Sequence, residues 1–392
     1  MILMRKLRVG LIGCGNIALN GHIPAYLGKP ERFEIVAVAD PFETQLELGL
    51  TKARLAAQDG YSDPLELIKR SDLDLIDICT PQHLHRELIE AAAEAGHNIV
   101  CEKPLAAIPA DANAAIRAAQ KAGVKLAVIH NYLFFPEVVA AKRILDSGEL
   151  GEVRVVTVNF LGVIDSMGAI GFKPKWRHDY ASSGGGVLMD MIHGVYLANH
   201  FLGSPTQSVS AHVTSHTQGD GVESLALCRL ESGDSAALVN IGWGFGHGGI
   251  DIVGSKGRLR INYEDFGTCP WSAFENMVVT VGSDTRVESV NFEPNSESIH
   301  DKISWSIAAS LVDIADAIEH GKLSVASGEN GLEVLEMTLA SYASAATGRS
   351  IPVPLEVSSP LHIKGVSGIK DLDFTSSAKD SPVRKHNLFG LN

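Results

Sequence analysis

An apolar run, Leu7 to Ile12, ends abruptly at Gly13-x-Gly15-x-x-Ala18, and this junction constrains the fold more than any other stretch of the chain. A strand that stops at a glycine turn and hands over to a helix is the opening of a βαβ unit. Gly13 suits the tight turn, Gly15 lets a ligand approach the backbone, and Ala18 keeps helix and strand close. Asn16 and Ile17 would then present free N–H groups at the helix N-terminus, where a pyrophosphate is held. A second strand-like run, Glu34 to Ala39, ends at Asp40, 25 positions after Gly15. An acidic residue at about that distance takes the ribose hydroxyls of a dinucleotide. Asp40 is followed by Pro41, Phe42 and Glu43, with no arginine to attract a 2′-phosphate, so NAD is expected and NADP is disfavoured.

The first third continues the alternation. Strands are predicted over 7–12, 34–39, 74–79, 97–101 and 125–130, with amphipathic helices around 42–57, 83–95 and 109–122. This pattern predicts a doubly wound parallel sheet with helices on both faces, an α/β Rossmann domain over 1–130. From about residue 150 the pattern turns β-rich, with predicted strands over 152–161, 207–217, 222–231, 234–241, 248–253, 257–262 and 277–282. These read as an α+β domain over 131–355 with a large, mostly antiparallel open sheet. One helix is expected over 187–202, and others around 300–320 and 329–346, the last packing back toward the first domain. An open sheet with an apolar face must be covered, so a homodimer or homotetramer pairing sheet on sheet is expected. Residues 356–392 lack apolar periodicity and read as an extended or partly disordered arm.

Composition narrows the partners. A net charge of -13, with no Lys/Arg cluster, argues against a nucleic-acid surface. No apolar run reaches the ~20 residues of a membrane span, and the segment after Met1 contains too many glycines for a signal peptide. Cys14, Cys79, Cys101, Cys228 and Cys269 are odd in number and widely spaced, which fits reduced thiols in a cytoplasmic protein. No Cys/His grouping has zinc spacing, and no metal is expected.

Two constellations can carry chemistry. Glu102-Lys103-Pro104 follows a predicted central strand, at the end of the sheet where such folds bind ligands. An ammonium at Lys103 could hold a substrate hydroxyl and stabilise the charge that develops as its proton leaves. The second is Gly184-Gly185-Gly186-Val187-Leu188-Met189-Asp190-Met191-Ile192-His193. The three glycines open a helix on which Asp190 and His193, at i and i+3, point to the same face, so the carboxylate could orient an imidazole that acts as general base. A buried Asp–His hydrogen bond with no chemistry is the plainer alternative. Trp176 and Arg177 precede the glycine triplet and could stack on a sugar ring and bind its hydroxyls, or be a packed indole and a surface charge.

At this point the chain resembles the Gfo/Idh/MocA oxidoreductases, the family of glucose–fructose oxidoreductase and inositol dehydrogenase. The glycine turn, Cys79-Thr80-Pro81-Gln82-His83-Leu84-His85, Val100-Cys101-Glu102-Lys103-Pro104-Leu105 and the triple-glycine helix carry the resemblance. Ser341-Tyr342-Ala343 onward looks like the family's closing helix. The resemblance implies Lys103, Asp190 and His193 as the catalytic group, with the histidine taking the hydroxyl proton as hydride leaves for the nicotinamide. It also implies that Thr80, Pro81 and His85 line the cofactor cleft and that Glu102 lies beside the nicotinamide ribose. Two departures are visible. Asp190 and His193 are three steps apart where the family usually has four, which leaves Tyr196 or His200 as alternative bases. The segment Asn131-Tyr132-Leu133-Phe134-Phe135-Pro136 lacks the family's arginine, so Asn131 and Tyr132 imply an altered substrate pocket.

The leading expectation is NAD-dependent oxidation of a secondary hydroxyl of a sugar, sugar derivative or cyclitol to the ketone. The alternatives are an NAD-recycling enzyme that cleaves a glycoside by oxidation and elimination, and a non-catalytic dinucleotide-binding sensor.

Overall fold

The computed structural model describes residues 5–163, 183–215, 222–244, 246, 248–263, 274–288, 290 and 299–372. Six parallel strands form the first sheet: β1 Leu7–Ile12, β2 Phe33–Ala39, β3 Gly60–Tyr61, β4 Leu75–Ile78, β5 Asn98–Cys101 and β6 Leu126–Val128. Their spatial order is β3-β2-β1-β4-β5-β6. The order reverses at β1, so the chain leaves β1 and β4 in opposite directions and opens a crevice at their C-terminal ends. Val9 and Leu11 point to one face and Ile12 to the other, all fully buried, as expected of a central parallel strand.

The faces are covered by α1 Ile23–Leu27, α2 Glu43–Ala53, α3 Pro64–Ile68, α4 His85–Glu94 and α5 Pro109–Ala122. The helix that starts after the glycine turn, with Leu19 N–H donating to the Gly15 carbonyl at 3.0 Å, does not stay α-helical. Ala18–His22 is a π-helical turn, in which Ile23 N–H donates to the Ala18 carbonyl. Pro24, in the first turn of α1, has no N–H to return to the preceding turn, so the wider turn costs less here. It ends at His22, which is completely buried.

After α6 Pro136–Asp146 the chain builds a second sheet from β7 Val153–Val163, β8 Ser208–Thr214, β9 Leu225–Ser232, β10 Ser235–Trp243, β11 Gly248–Gly254, β12 Gly257–Tyr263, β13 Phe274–Val281 and β14 Asp284–Glu288. The edge strand β15 Ile351–Pro352 completes nine, in the order β14-β13-β12-β11-β7-β10-β9-β8-β15. All pairs are antiparallel except β7 with β10.

The helix expected over 187–202 is broken. It consists of α7 Val187–Asp190 and α8 His193–Leu202, with Met191 between them at φ -100 and ψ 35. α8 packs on β7 and β10, while α9 Ile299–His320 crosses back to cover the first sheet beside α1. α10 Gly328–Thr347 packs on both β8 and α5, and so rivets the two sheets together.

Residues 356–372 are not an extended arm. α11 Pro360–Lys364 and a 3-10 turn over Gly365–Asp371 bury Leu361, Val366 and Ile369 against α5 and α10. These apolar residues follow no helical period, so the sequence reads there as a tail; residues 373–392 of the expected arm lie outside the described residues. Cys14, Cys79, Cys101 and Cys228 are buried free thiols, and Cys269 lies outside the described residues. Among the described residues no helix is long and apolar enough to cross a membrane.

Candidate functional site

The crevice at the C-terminal ends of β1 and β4 opens into a cavity of about 600 Å³. One end is walled by Gly13, Gly15, Asn16, Ile17 and Asp40; Thr80, Pro81 and Glu102 line its length. The other end meets Lys103, Asn131, Tyr132, Asp190 and His193. One cavity therefore collects residues from both sheets' domains.

Gly13 has φ +92, and a Cβ there would fall 2.7 Å from the Cys79 carbonyl oxygen, so no other residue fits the turn. Gly15 is the opposite case. A Cβ there would meet nothing within 4 Å and would project into open space beside the helix start. Ala18 is fully buried and serves packing rather than lining the cleft. Asp40 accepts the Cys14 N–H at 2.8 Å and the Phe42 N–H at 2.9 Å, which hold the carboxylate at the cleft wall with lone pairs to spare. Two buried oxygens in the same wall, Gln45 Oε1 and Thr80 Oγ1, have no hydrogen-bond partner among the described residues. An open glycine, a fixed carboxylate and orphaned polar atoms suit a dinucleotide with its hydroxyls and amides.

His85 does not line this cleft. Its ring is buried, with Nε2 2.8 Å from the Thr80 carbonyl and Nδ1 3.0 Å from that of Pro104 and 3.2 Å from that of Leu105. It ties the loops after β4 and β5 together, a structural task that sequence spacing could not separate from ligand contact.

At the far end, Lys103 Nζ donates to the Asp190 carbonyl at 2.7 Å. The Asp190 carboxylate is not the partner of His193. The break at Met191 places the two residues in different helical segments, and His193 Nδ1 instead meets the Tyr196 hydroxyl at 2.7 Å. Tyr196 is itself fixed, because its oxygen accepts the Tyr132 N–H at 3.0 Å. The Tyr132 ring stacks on His193 with centroids 3.7 Å apart, and His130 stacks on Tyr196 at 4.3 Å.

Burial, with Lys103 and His130 nearby, holds the His193 imidazole well below its ordinary pKa. Burial likewise lowers His130 to about 3. His193 is therefore neutral at physiological pH, as a proton acceptor must be. Burial lowers His200 to about 4, but it does not line the cavity. Asn131 donates to Ser306 on α9 at 2.8 Å, so the second wall of the pocket is braced by the crossing helix. Trp176 and Arg177 lie outside the described residues.

Sequence reasoning missed the support of the glycine triplet. The buried Glu223 accepts the Gly186 N–H at 2.7 Å, the Leu188 N–H at 3.0 Å and the Tyr342 hydroxyl at 2.7 Å. A Cβ on Gly186 would fall 2.2 Å from the Glu223 backbone oxygen, which is why glycine stands there. Glu223 satisfies the free N–H groups that open α7 and links them to α10. Nothing in Val222-Glu223-Ser224 distinguishes it from a turn glutamate.

His22, Asp77 and Cys79 form a cluster of potential metal donors. Both ring nitrogens of His22 are already engaged by Asp77 and Glu102, and burial pushes the Cys79 thiol far above its ordinary pKa. A protonated thiol and an occupied imidazole do not fit a metal ion.

Comparison with known proteins agrees with this fold. Residues 7–130 match the oxidoreductase family model with an NAD-binding Rossmann fold, and residues 138–260 match the GFO/IDH/MocA C-terminal domain. The chain is 26% identical to D-apiose dehydrogenase of Paraburkholderia graminis over 93% of this chain and 95% of that protein. It is 33% identical to a dTDP-3,4-didehydro-2,6-dideoxy-alpha-D-glucose 3-reductase of Streptomyces violaceoruber over 66% of this chain and 73% of that one. An oxidoreductase from Agrobacterium radiobacter, solved with NAD+, L-tartaric acid and magnesium, has the same fold. It superposes with a TM-score of 0.78 at 24% identity, over 89% of this chain and 98% of its own. With both domains matched in order, the chain belongs to the Gfo/Idh/MocA family of oxidoreductases.

Proposed function

We propose that this protein oxidises a secondary hydroxyl of a sugar, sugar derivative or cyclitol to the ketone, with NAD+ as acceptor. The observation that carries the reading is the shared cavity. Lys103 and His193, from different domains, line its far end, while the glycine turn and Asp40 line the other. NAD+, when bound, supplies the hydride acceptor.

The remaining chemistry belongs to the chain. Lys103 is placed by the Asp190 carbonyl, and its ammonium stabilises the charge that grows on the reacting oxygen. His193 donates Nδ1–H to Tyr196 in one tautomer, which presents Nε2 as the base that receives the hydroxyl proton. Asp190 acts through its backbone, as the group that places Lys103. Asn131 and Tyr132 shape the substrate side. Asp40 favours NAD over NADP, because a fixed carboxylate repels a 2′-phosphate. We further propose that the protein assembles as a homo-oligomer through the second sheet.

The test is a screen of sugars and cyclitols with NAD+ and NADP+, following the absorbance of reduced nicotinamide. At least one polyol should give turnover, with higher kcat/KM for NAD+. Cofactor binding without turnover on any polyol would overturn the reading, and a higher kcat/KM with NADP+ would overturn the role of Asp40.

A further inference from the structure

Beneath the cavity floor lies a charged cluster that the mechanism above does not use. His22 is completely buried at the end of the π-helical turn. Its Nδ1 is 2.7 Å from Asp77 Oδ2 on β4, and its Nε2 is 2.9 Å from Glu102 Oε1 at the end of β5. The other Glu102 oxygen accepts the Lys103 backbone N–H at 3.0 Å. A ring clamped between two carboxylates must donate from both nitrogens to satisfy both, which makes it an imidazolium. Burial opposes that charge, yet Asp77 raises the His22 pKa well above its ordinary value. Burial would raise Glu102 too, but His22 and Lys103 hold its carboxyl below the usual range.

We propose that His22 is a positioning residue: it keeps Glu102 ionised and turned against Lys103, so that the cavity floor carries a fixed negative charge favouring the oxidised, cationic nicotinamide over the reduced ring. This rests on the proposed function in one respect only, that the nicotinamide binds at the Lys103 end. Two carboxylates against the imidazolium and the Lys103 ammonium leave this end neutral, and without the Glu102 charge it would meet the cationic ring with a net positive charge, in a medium where charges act strongly. Glu102 is the member of the cluster that lines the cavity.

Other ionisable groups around the cluster do not compete for this role. Tyr26 and Cys79 face the Asp77 side, and burial raises both so that they stay neutral. Around Glu102, burial keeps Cys101 and Tyr196 protonated and His130 and His85 uncharged. Among the described residues, Lys103 is the remaining charged neighbour.

The experiment measures dissociation constants for NAD+ and NADH by calorimetry from pH 5 to 9 on the full chain, its Glu102→Gln variant and its His22→Gln variant. Glu102→Gln should lower the preference for NAD+ over NADH by about tenfold at every pH. In His22→Gln a buried Glu102 without its cation takes up a proton, so the preference should fall at low pH and recover as pH rises. The unaltered protein should keep a constant ratio. A merely structural role would weaken both forms alike. An unchanged ratio in Glu102→Gln would overturn the proposal, as would a pH-independent, unaltered ratio in folded His22→Gln. If His22→Gln does not fold by circular dichroism, Asp77→Asn takes its place: it removes the carboxylate that keeps His22 charged, so the same fall in preference at low pH is expected and a constant ratio would overturn the proposal. Failure of the unaltered protein to bind either form would instead strike at the proposed function.

Discussion

At the scale of single residues, burial sets the chemistry. His193 is depressed well below its ordinary value by burial, Lys103 and His130, so its basic form is complete above about pH 6.5. Oxidation should therefore show no histidine limb near that pH, and kcat/KM should stay flat down to it. His193→Asn should lower kcat by about 10²–10⁴-fold. Full activity in that variant would remove the ring from the proton path.

Glu137 is the reverse case. It is 4% exposed at the start of α6, Oε2 has no partner among the described residues, and burial raises its carboxyl from 4.5 to about 7. The folded state thus holds a proton that the unfolded state releases, and stability is lost as pH rises from about 4.5 to about 7. Glu137→Gln should be about 1–3 kcal/mol more stable than the parent at pH 8 and nearly equal at pH 4. Urea unfolding at both pH values measures this; an equal difference at the two would contradict the assignment.

At the scale of elements, the glycine triplet depends on a carboxylate far away in sequence. Glu223 caps α7 and is itself held by Tyr342 on α10. Tyr342→Phe should cost about 1–3 kcal/mol, because a buried carboxylate loses a hydroxyl donor, and should lower kcat more than it changes the affinity for NAD+. Thermal unfolding with steady-state kinetics checks both effects. An unchanged midpoint would show that Glu223 finds another donor.

The same scale shows how far the sequence could be read. The parallel strands were legible because burial on both faces leaves unbroken apolar runs such as Ile35 to Ala39, bounded by punctuating residues. The junction at Gly13 and the lysine at 103 were legible because position alone fixes their neighbourhood in this topology. The break at Met191 was not, since apolar residues run on both sides of it and no proline or glycine stands at Met191 or Ile192. It follows that the Asp190–His193 pairing inferred from helical spacing was replaced by His193–Tyr196, three residues further on. His22, Asp77 and Glu102 were out of reach for another reason: three polar residues on separate elements share no local spacing.

At the scale of the whole molecule, α8 and α10 cover one face of the second sheet. On the other face, Val155, Leu227, Leu238 and Val253 are 38–43% exposed on neighbouring strands. A row of aliphatic side chains across β7, β9, β10 and β11 is suited to a second copy of the same face. Leu238→Asp should shift the protein to smaller species in sedimentation velocity while leaving the fold intact. A parent that already sediments as a monomer would contradict the proposed assembly.

In the proposed reaction Lys103 acts on the substrate oxygen, beside a cofactor it does not need to hold. The most direct test is Lys103→Met, compared with the parent in NAD+ affinity and in kcat on the polyol found in the screen. We expect NAD+ affinity within about threefold of the parent and kcat reduced by about 10²–10³-fold. Turnover at the parental rate, with cofactor bound equally well, would contradict the account.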